Sequence, residues 1–130
     1  VRSRRQRQMC IRDSSMTFNV TGNRLNAILN QRSQDMLTAN NWNVCQYAAL
    51  LIMFAKSTGF EPGELVHVIA DAHIYDRHID AVKRLIEKKP YPAPEMQVED
   101  ITDFYKFTKN SFTAVDYKYH EFTDKIPVAI

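Results

Sequence analysis

Several things are scarce or missing in this chain, and each absence narrows its class. Cys10 and Cys45 are the two cysteines in 130 residues. That is too few for a disulfide framework, and it points to a reducing, cytoplasmic setting. Long hydrophobic runs are missing too. The longest spans residues 44–55, is broken by Gln46 and is too short to cross a bilayer, so no membrane segment is expected. Residues 1–12 are charged and lack an apolar core, which argues against a signal peptide. The sequence has no internal repeats. It also lacks a Cys/His cluster of metal-binding spacing, so no metal is expected.

What is present suits one ordinary globular domain, with 45% apolar and 25% charged residues. The net charge of +2 is unevenly spread. Residues 1–14 carry Arg2, Arg4, Arg5, Arg7 and Arg12 against Asp13, a local charge of +4, which leaves −2 on residues 15–130. The tail has no apolar periodicity and also resembles translated sequencing-adapter read-through. It is expected to be a disordered or artefactual basic tail, and the domain proper to span 15–130. The functional alternative for the tail is an arginine-rich arm that grips RNA or DNA. The mildly acidic body gives no general nucleic-acid face.

The pattern becomes globular at Met16. Phe18 and Val20 alternate with polar residues, Thr21-Gly22-Asn23-Arg24 is a turn, and residues 25–32 form a second extended segment. A helix over 43–58 ends at Gly59. It is apolar on most sides, which predicts a long, central, buried helix with Cys45 as a core thiol. Glu61-Pro62-Gly63 reads as a turn, residues 65–75 as a strand, and Asp76 as the cap of a helix that Pro90 stops. A short strand follows near 96–98, then a less regular, aromatic-rich end. The expected class is α/β (α+β), a mixed sheet packed against the long helix.

Candidate chemistry gathers in a few places. On the 65–75 strand, period-two alternation puts Asp71, His73 and Tyr75 on one face. That trio can hydrogen-bond a sugar or a base, or can form a polar face capped by solvent. Arg32-Ser33 sets a forked cation beside a hydroxyl, suited to a phosphate monoester. Asn43 can both accept from and donate to a pyrimidine edge, or it can cap the helix.

Four blocks resemble the thymidylate synthase family in order and spacing. They are Arg32-Ser33-Gln34-Asp35, then Asn43 eight residues after Asp35, then Asp71-Ala72-His73-Ile74-Tyr75, and last Pro127-Val128-Ala129-Ile130. The resemblance covers about residues 16–130 and the C-terminal half of that fold. It implies conversion of deoxyuridylate to thymidylate with 5,10-methylenetetrahydrofolate as co-substrate, in a homodimer. It assigns Arg32 and Ser33 to the phosphate, with Gln34 and Asp35 adding backbone contacts and Asp35 also facing the folate. Asn43 would read uracil, His73, Ile74 and Tyr75 the deoxyribose side, and Ala129 and Ile130 would close over the folate. Arg32, Asn43 and His73 would support catalysis. Ala70 departs from a frequent glycine, a small change. The serious departure is the nucleophile: the family's cysteine is expected at position 12, where Arg12 stands, and Cys10 lies two residues early. The chain is therefore expected to be an inactive fragment. Within the superfamily a deoxycytidylate hydroxymethylase is the alternative, though Asn43 favours uracil over cytosine.

Overall fold

The computed structural model describes residues 14–123 and 125–127. The expectations for the tail, for Cys10 and Arg12, and for Ala129 and Ile130 fall outside them. A three-stranded sheet is built from β1 (Ser14–Thr21), β2 (Arg24–Asp35) and β3 (Glu61–His73), in the order β1-β2-β3. The first pair is an antiparallel hairpin whose turn includes Gly22 at φ 61°. Helix α1 (Asn40–Thr58) carries the chain back so that β3 joins β2 in parallel. Antiparallel and parallel pairing in one sheet make it mixed, as the order of elements predicted. After a 3-10 turn (Asp76–His78) come helix α2 (Ile79–Ile86) and a separate antiparallel pair, β4 (Glu95–Val98) with β5 (Phe112–Val115).

The core lies between the sheet and α1. Leu25, Ala27 and Leu29 alternate inward on β2, and Leu51 and Ala55 face them from the helix. Met16, Phe54, Phe60 and Leu65 pack around this group. Two alanines at the contact let the helix approach the sheet closely. Burying Leu51 contributes about 1.5–3 kcal/mol. An aromatic row widens the contact: Phe18 meets Phe54 edge-on at 5.2 Å, and Phe54 stacks on Phe104 at 4.9 Å.

Four local expectations change. Glu61-Pro62-Gly63 is the start of β3, not a turn. Pro62 is tolerated because β3 is an edge strand. The register slips between Leu25 and Ala27, and a Cβ on Gly63 would lie 2.7 Å from the Leu25 carbonyl oxygen. Helix α1 begins at Asn40 with Ala39 at its cap position, so Asn43 is not the cap. The side chain of Asp76 caps nothing, since the cap position before the 3-10 turn is Tyr75. Burial of α1 is one-sided, because the sheet and the 104–106 turn cover one flank. Trp42 is 79% exposed, and Cys45 is exposed rather than a core thiol.

The sheet face away from α1 is partly apolar, with Ile28, Val66 and Val68 each nearly half exposed. Among the described residues no helix is long and apolar enough to cross a membrane, and no group of side chains is arranged to hold a metal ion.

Candidate functional site

Because β2 and β3 run parallel, their carboxyl ends lie side by side, with Ser33 opposite Asp71 and Asp35 opposite His73. Ligands of parallel sheets collect at such ends, beyond the last hydrogen-bonded residues. The first turn of α1 starts only five residues past Asp35, so three segments meet at one place.

The strand alternation brings its polar trio together as expected. Ser33 Oγ donates to Asp71 Oδ2 at 3.2 Å. His73 Nδ1 lies 3.3 Å from the Asp71 carbonyl oxygen and 3.5 Å from Asp71 Oδ2. Both neighbours are acceptors, so Nδ1 carries the proton and Nε2 is the ring's acceptor. Tyr75 meets His73 edge-on at 5.2 Å and His78 at 5.6 Å. His78 is buried and donates through Nε2 to the Pro127 carbonyl oxygen at 2.9 Å, which ties the 125–127 segment to this ring row. Ile74, between His73 and Tyr75, is 42% exposed.

Asp35 organises the link between β2 and α1. Its Oδ1 accepts from the backbone N–H groups of Leu37 and Thr38 at 3.0 and 3.2 Å, and its Oδ2 accepts from Thr38 Oγ1. Burial works against its ionisation. The bonds from Thr38 and Leu37, with His78 nearby, outweigh that and hold the carboxyl below its ordinary 3.8. A depressed folded value means that this stabilisation is present above 3.8 and is lost as pH falls through the folded value. A carbon-13 titration of Asp35 Cγ should therefore give a midpoint below 3.8, with the Leu37 and Thr38 amide shifts moving in step. A midpoint above 3.8 would show the turn bonds to be too weak to offset burial.

Arg32 and Ser33 are not side by side. Successive strand residues project from opposite faces, and Arg32 lies on the outer face. There it lines a cavity of about 490 Å³ with Ser15, Asn30, Val68 and Ala70.

Asn43 is 1% exposed, and its Nδ2 donates to Gln34 Oε1 at 2.7 Å. It also lines a cavity of about 550 Å³ with Thr38, Ala39, Trp42 and Gln46. Gln34 itself is 1% exposed. Its oxygen also accepts from Gln31 Nε2, and its own amide nitrogen donates to the Asp35 carbonyl oxygen at 3.3 Å. Gln31 Oε1 in turn accepts from His67 Nε2 at 3.0 Å. This polar row was not foreseen, since Gln34 was assigned backbone contacts only and Gln31 and His67 were assigned nothing. One signal was available: Gln31 continues the inward positions of Leu25, Ala27 and Leu29.

Similarities to known proteins place the chain in a family. The family description "Thymidylate synthase" matches residues 6–130. A thymidylate synthase of Clostridium beijerinckii is 40% identical over 107 residues, which are 80% of this chain and 41% of that protein. One of Bacillus phage phi3T is 43% identical over 89 residues, 68% of this chain and 32% of that protein. Among solved structures, the thermostable thymidylate synthase A from Bacillus subtilis superposes with a TM-score of 0.80 at 36% identity. That match covers 88% of this chain and 41% of the other. The chain thus spans about two fifths or less of the length of these relatives. With the family matched over nearly the whole chain, on a fold that superposes this well, the chain belongs to the thymidylate synthase family.

Proposed function

We propose that this chain supplies the nucleotide-reading half of a thymidylate synthase site, where deoxyuridylate is held for methylation by 5,10-methylenetetrahydrofolate. The observation that carries the reading is the meeting of Ser33, Asp71 and His73 at the carboxyl ends of two parallel strands, with a buried Asn43 bonded to Gln34, the residue after Ser33. A hydroxyl, a carboxylate and an imidazole suit a sugar phosphate, and a carboxamide suits the base.

In this reading Ser33 takes the phosphate, with backbone groups of Gln34 and Asp35 beside it, and Arg32, on the outer face, is not part of that contact. His73, Ile74 and Tyr75 border the deoxyribose, and Asn43 reads uracil. Asp35 and the ends of Ala129 and Ile130 lie toward the folate. The apolar outer face around Ile28, Val66 and Val68 supports a second subunit packed there, and so a homodimer. No part of the reading needs a metal, and the setting is cytoplasmic.

The test is a titration of the nitrogen-15-labelled 130-residue chain with deoxyuridylate. Shifts should gather at Ser33, Asn43, His73 and Tyr75, and deoxyuridine should reproduce them only in part, because it lacks the phosphate. Shifts confined to residues outside this group, or none at millimolar nucleotide, would overturn the proposal.

A further inference from the structure

A pyrimidine-reading asparagine has an ambiguity built into it. Its oxygen and nitrogen ends have nearly the same shape. One orientation offers N–H to O4 of uracil and accepts from N3–H. The orientation turned by 180° accepts from the N4 amino group of cytosine and donates to N3. A carboxamide free to turn would therefore accept both bases. Selectivity must come from whatever forbids the turn.

We propose that Gln34 is the positioning residue that holds the Asn43 carboxamide in one orientation, and that the row His67–Gln31–Gln34 sets the direction of that hold. The inference rests on the function proposed above and adds the residue that sets its base selectivity.

The direction of the row follows from its fixed ends. Ser33 O and Asp35 O are backbone carbonyls and can only accept. Gln31 Nε2 donates to Ser33 O at 2.8 Å, and Gln34 Nε2 donates to Asp35 O at 3.3 Å. Each glutamine is thereby assigned: nitrogen toward its backbone carbonyl, oxygen away from it. Gln31 Oε1 then faces His67 Nε2, which must carry the proton. Gln34 Oε1 receives both Gln31 Nε2 and Asn43 Nδ2. Every donor in the row meets an acceptor, and no amide can be turned without setting like against like.

Turning Asn43 alone would bring its Oδ1 to 2.7 Å from Gln34 Oε1, oxygen against oxygen in a site 1% exposed. Turning Gln34 as well would set its oxygen against Asp35 O and its nitrogen against that of Gln31. The lock is therefore cooperative, and its outer end is His67 on the edge strand β3. With Asn43 Nδ2 held on Gln34 Oε1, the carboxamide keeps one orientation, and under the proposed function that is the one that presents N–H to O4 of uracil and its oxygen to N3–H.

The unaltered 130-residue chain gives the first test. In a nitrogen-15-labelled sample the Asn43 side-chain amide should show cross-relaxation with Gln34 and Gln31. It should also exchange with water at least tenfold more slowly than the exposed Asn30 side chain. An Asn43 amide that exchanges as fast as that of Asn30 overturns the proposal, whatever nucleotide binding shows. Gln34→Met gives the second test, since it keeps the length and removes the acceptor. The ratio of deoxycytidylate to deoxyuridylate dissociation constants should fall at least tenfold, chiefly through tighter deoxycytidylate. Equal weakening of both nucleotides would mark Gln34 as a packing residue only and overturn the proposal. Should the unaltered chain bind neither nucleotide, the function proposed above fails. The amide measurements then still decide the lock.

Discussion

Mixed with deoxyuridylate and methylenetetrahydrofolate, the 130-residue chain is expected to make no thymidylate at any practical protein concentration. In the family's reaction a cysteine thiolate adds to C6 of the uracil, which makes C5 nucleophilic enough to attack the folate methylene. The adding sulfur must come within about 3.5 Å of its carbon. Two cysteines are candidates. Cys45 is on α1 two residues past Asn43, about 200° around the helix, so it points away from a base held by Asn43. It is exposed there and lines a different hollow, with Asn41, Trp42 and Gln46. Cys10 stands two residues from position 12, where the family's nucleophile is expected and Arg12 is found. Without the covalent step the expected loss is complete rather than partial. Dihydrofolate absorbance, with the nucleotide product checked by mass spectrometry, measures it. Turnover that disappears in Cys10→Ala would make Cys10 the nucleophile and overturn this account.

Asn43→Asp is expected to have the largest effect on both nucleotide choice and stability. A carboxylate has only acceptors to offer, so it opposes O4 of uracil on one side and Gln34 Oε1 on the other. Each unpaired buried acceptor costs about 1–3 kcal/mol. Preference should move from deoxyuridylate toward deoxycytidylate by roughly 10- to 100-fold, since about 1.4 kcal/mol is a factor of ten. The urea midpoint should fall at the same time, because the clash with Gln34 is present without any ligand. Paired titrations with the two nucleotides and an unfolding curve check both parts. An unchanged preference would mean that Asn43 does not read the base, and an unchanged midpoint that Gln34 yields to it freely.

Much of this architecture could be read from residue patterns. Alternation found β3 and put Asp71 and His73 on a common side, where the structure brings them together with Ser33. Gly59 ends α1 in the left-handed conformation, as its position suggested. Tertiary context decided what was misread. Glu61-Pro62-Gly63 has the composition of a turn, yet pairing with the start of β2 holds it extended. Asn43 is a favoured cap residue, but the turn built by Asp35 starts the helix three residues earlier. The inward position of Gln31 was visible. Its partners His67 and Gln34 were not, since no local rule joins three polar residues from two strands into one buried row with a helix.

The parallel pairing of β2 with β3 has a consequence for the order in which the molecule assembles. The β1–β2 hairpin closes over a two-residue turn and can form early. The Ser33–Asp71 contact joins residues 38 apart, so it must wait for the intervening chain, α1 included, to be drawn in. Contacts of that separation slow folding, because loop closure is completed before they contribute. The proposed nucleotide site therefore does not exist in any partly folded form that has only the hairpin and the helix. Recovery of the Ser33 and His73 signals during refolding should lag behind those of the β1–β2 ladder, which makes these residues reporters of the last strand to dock.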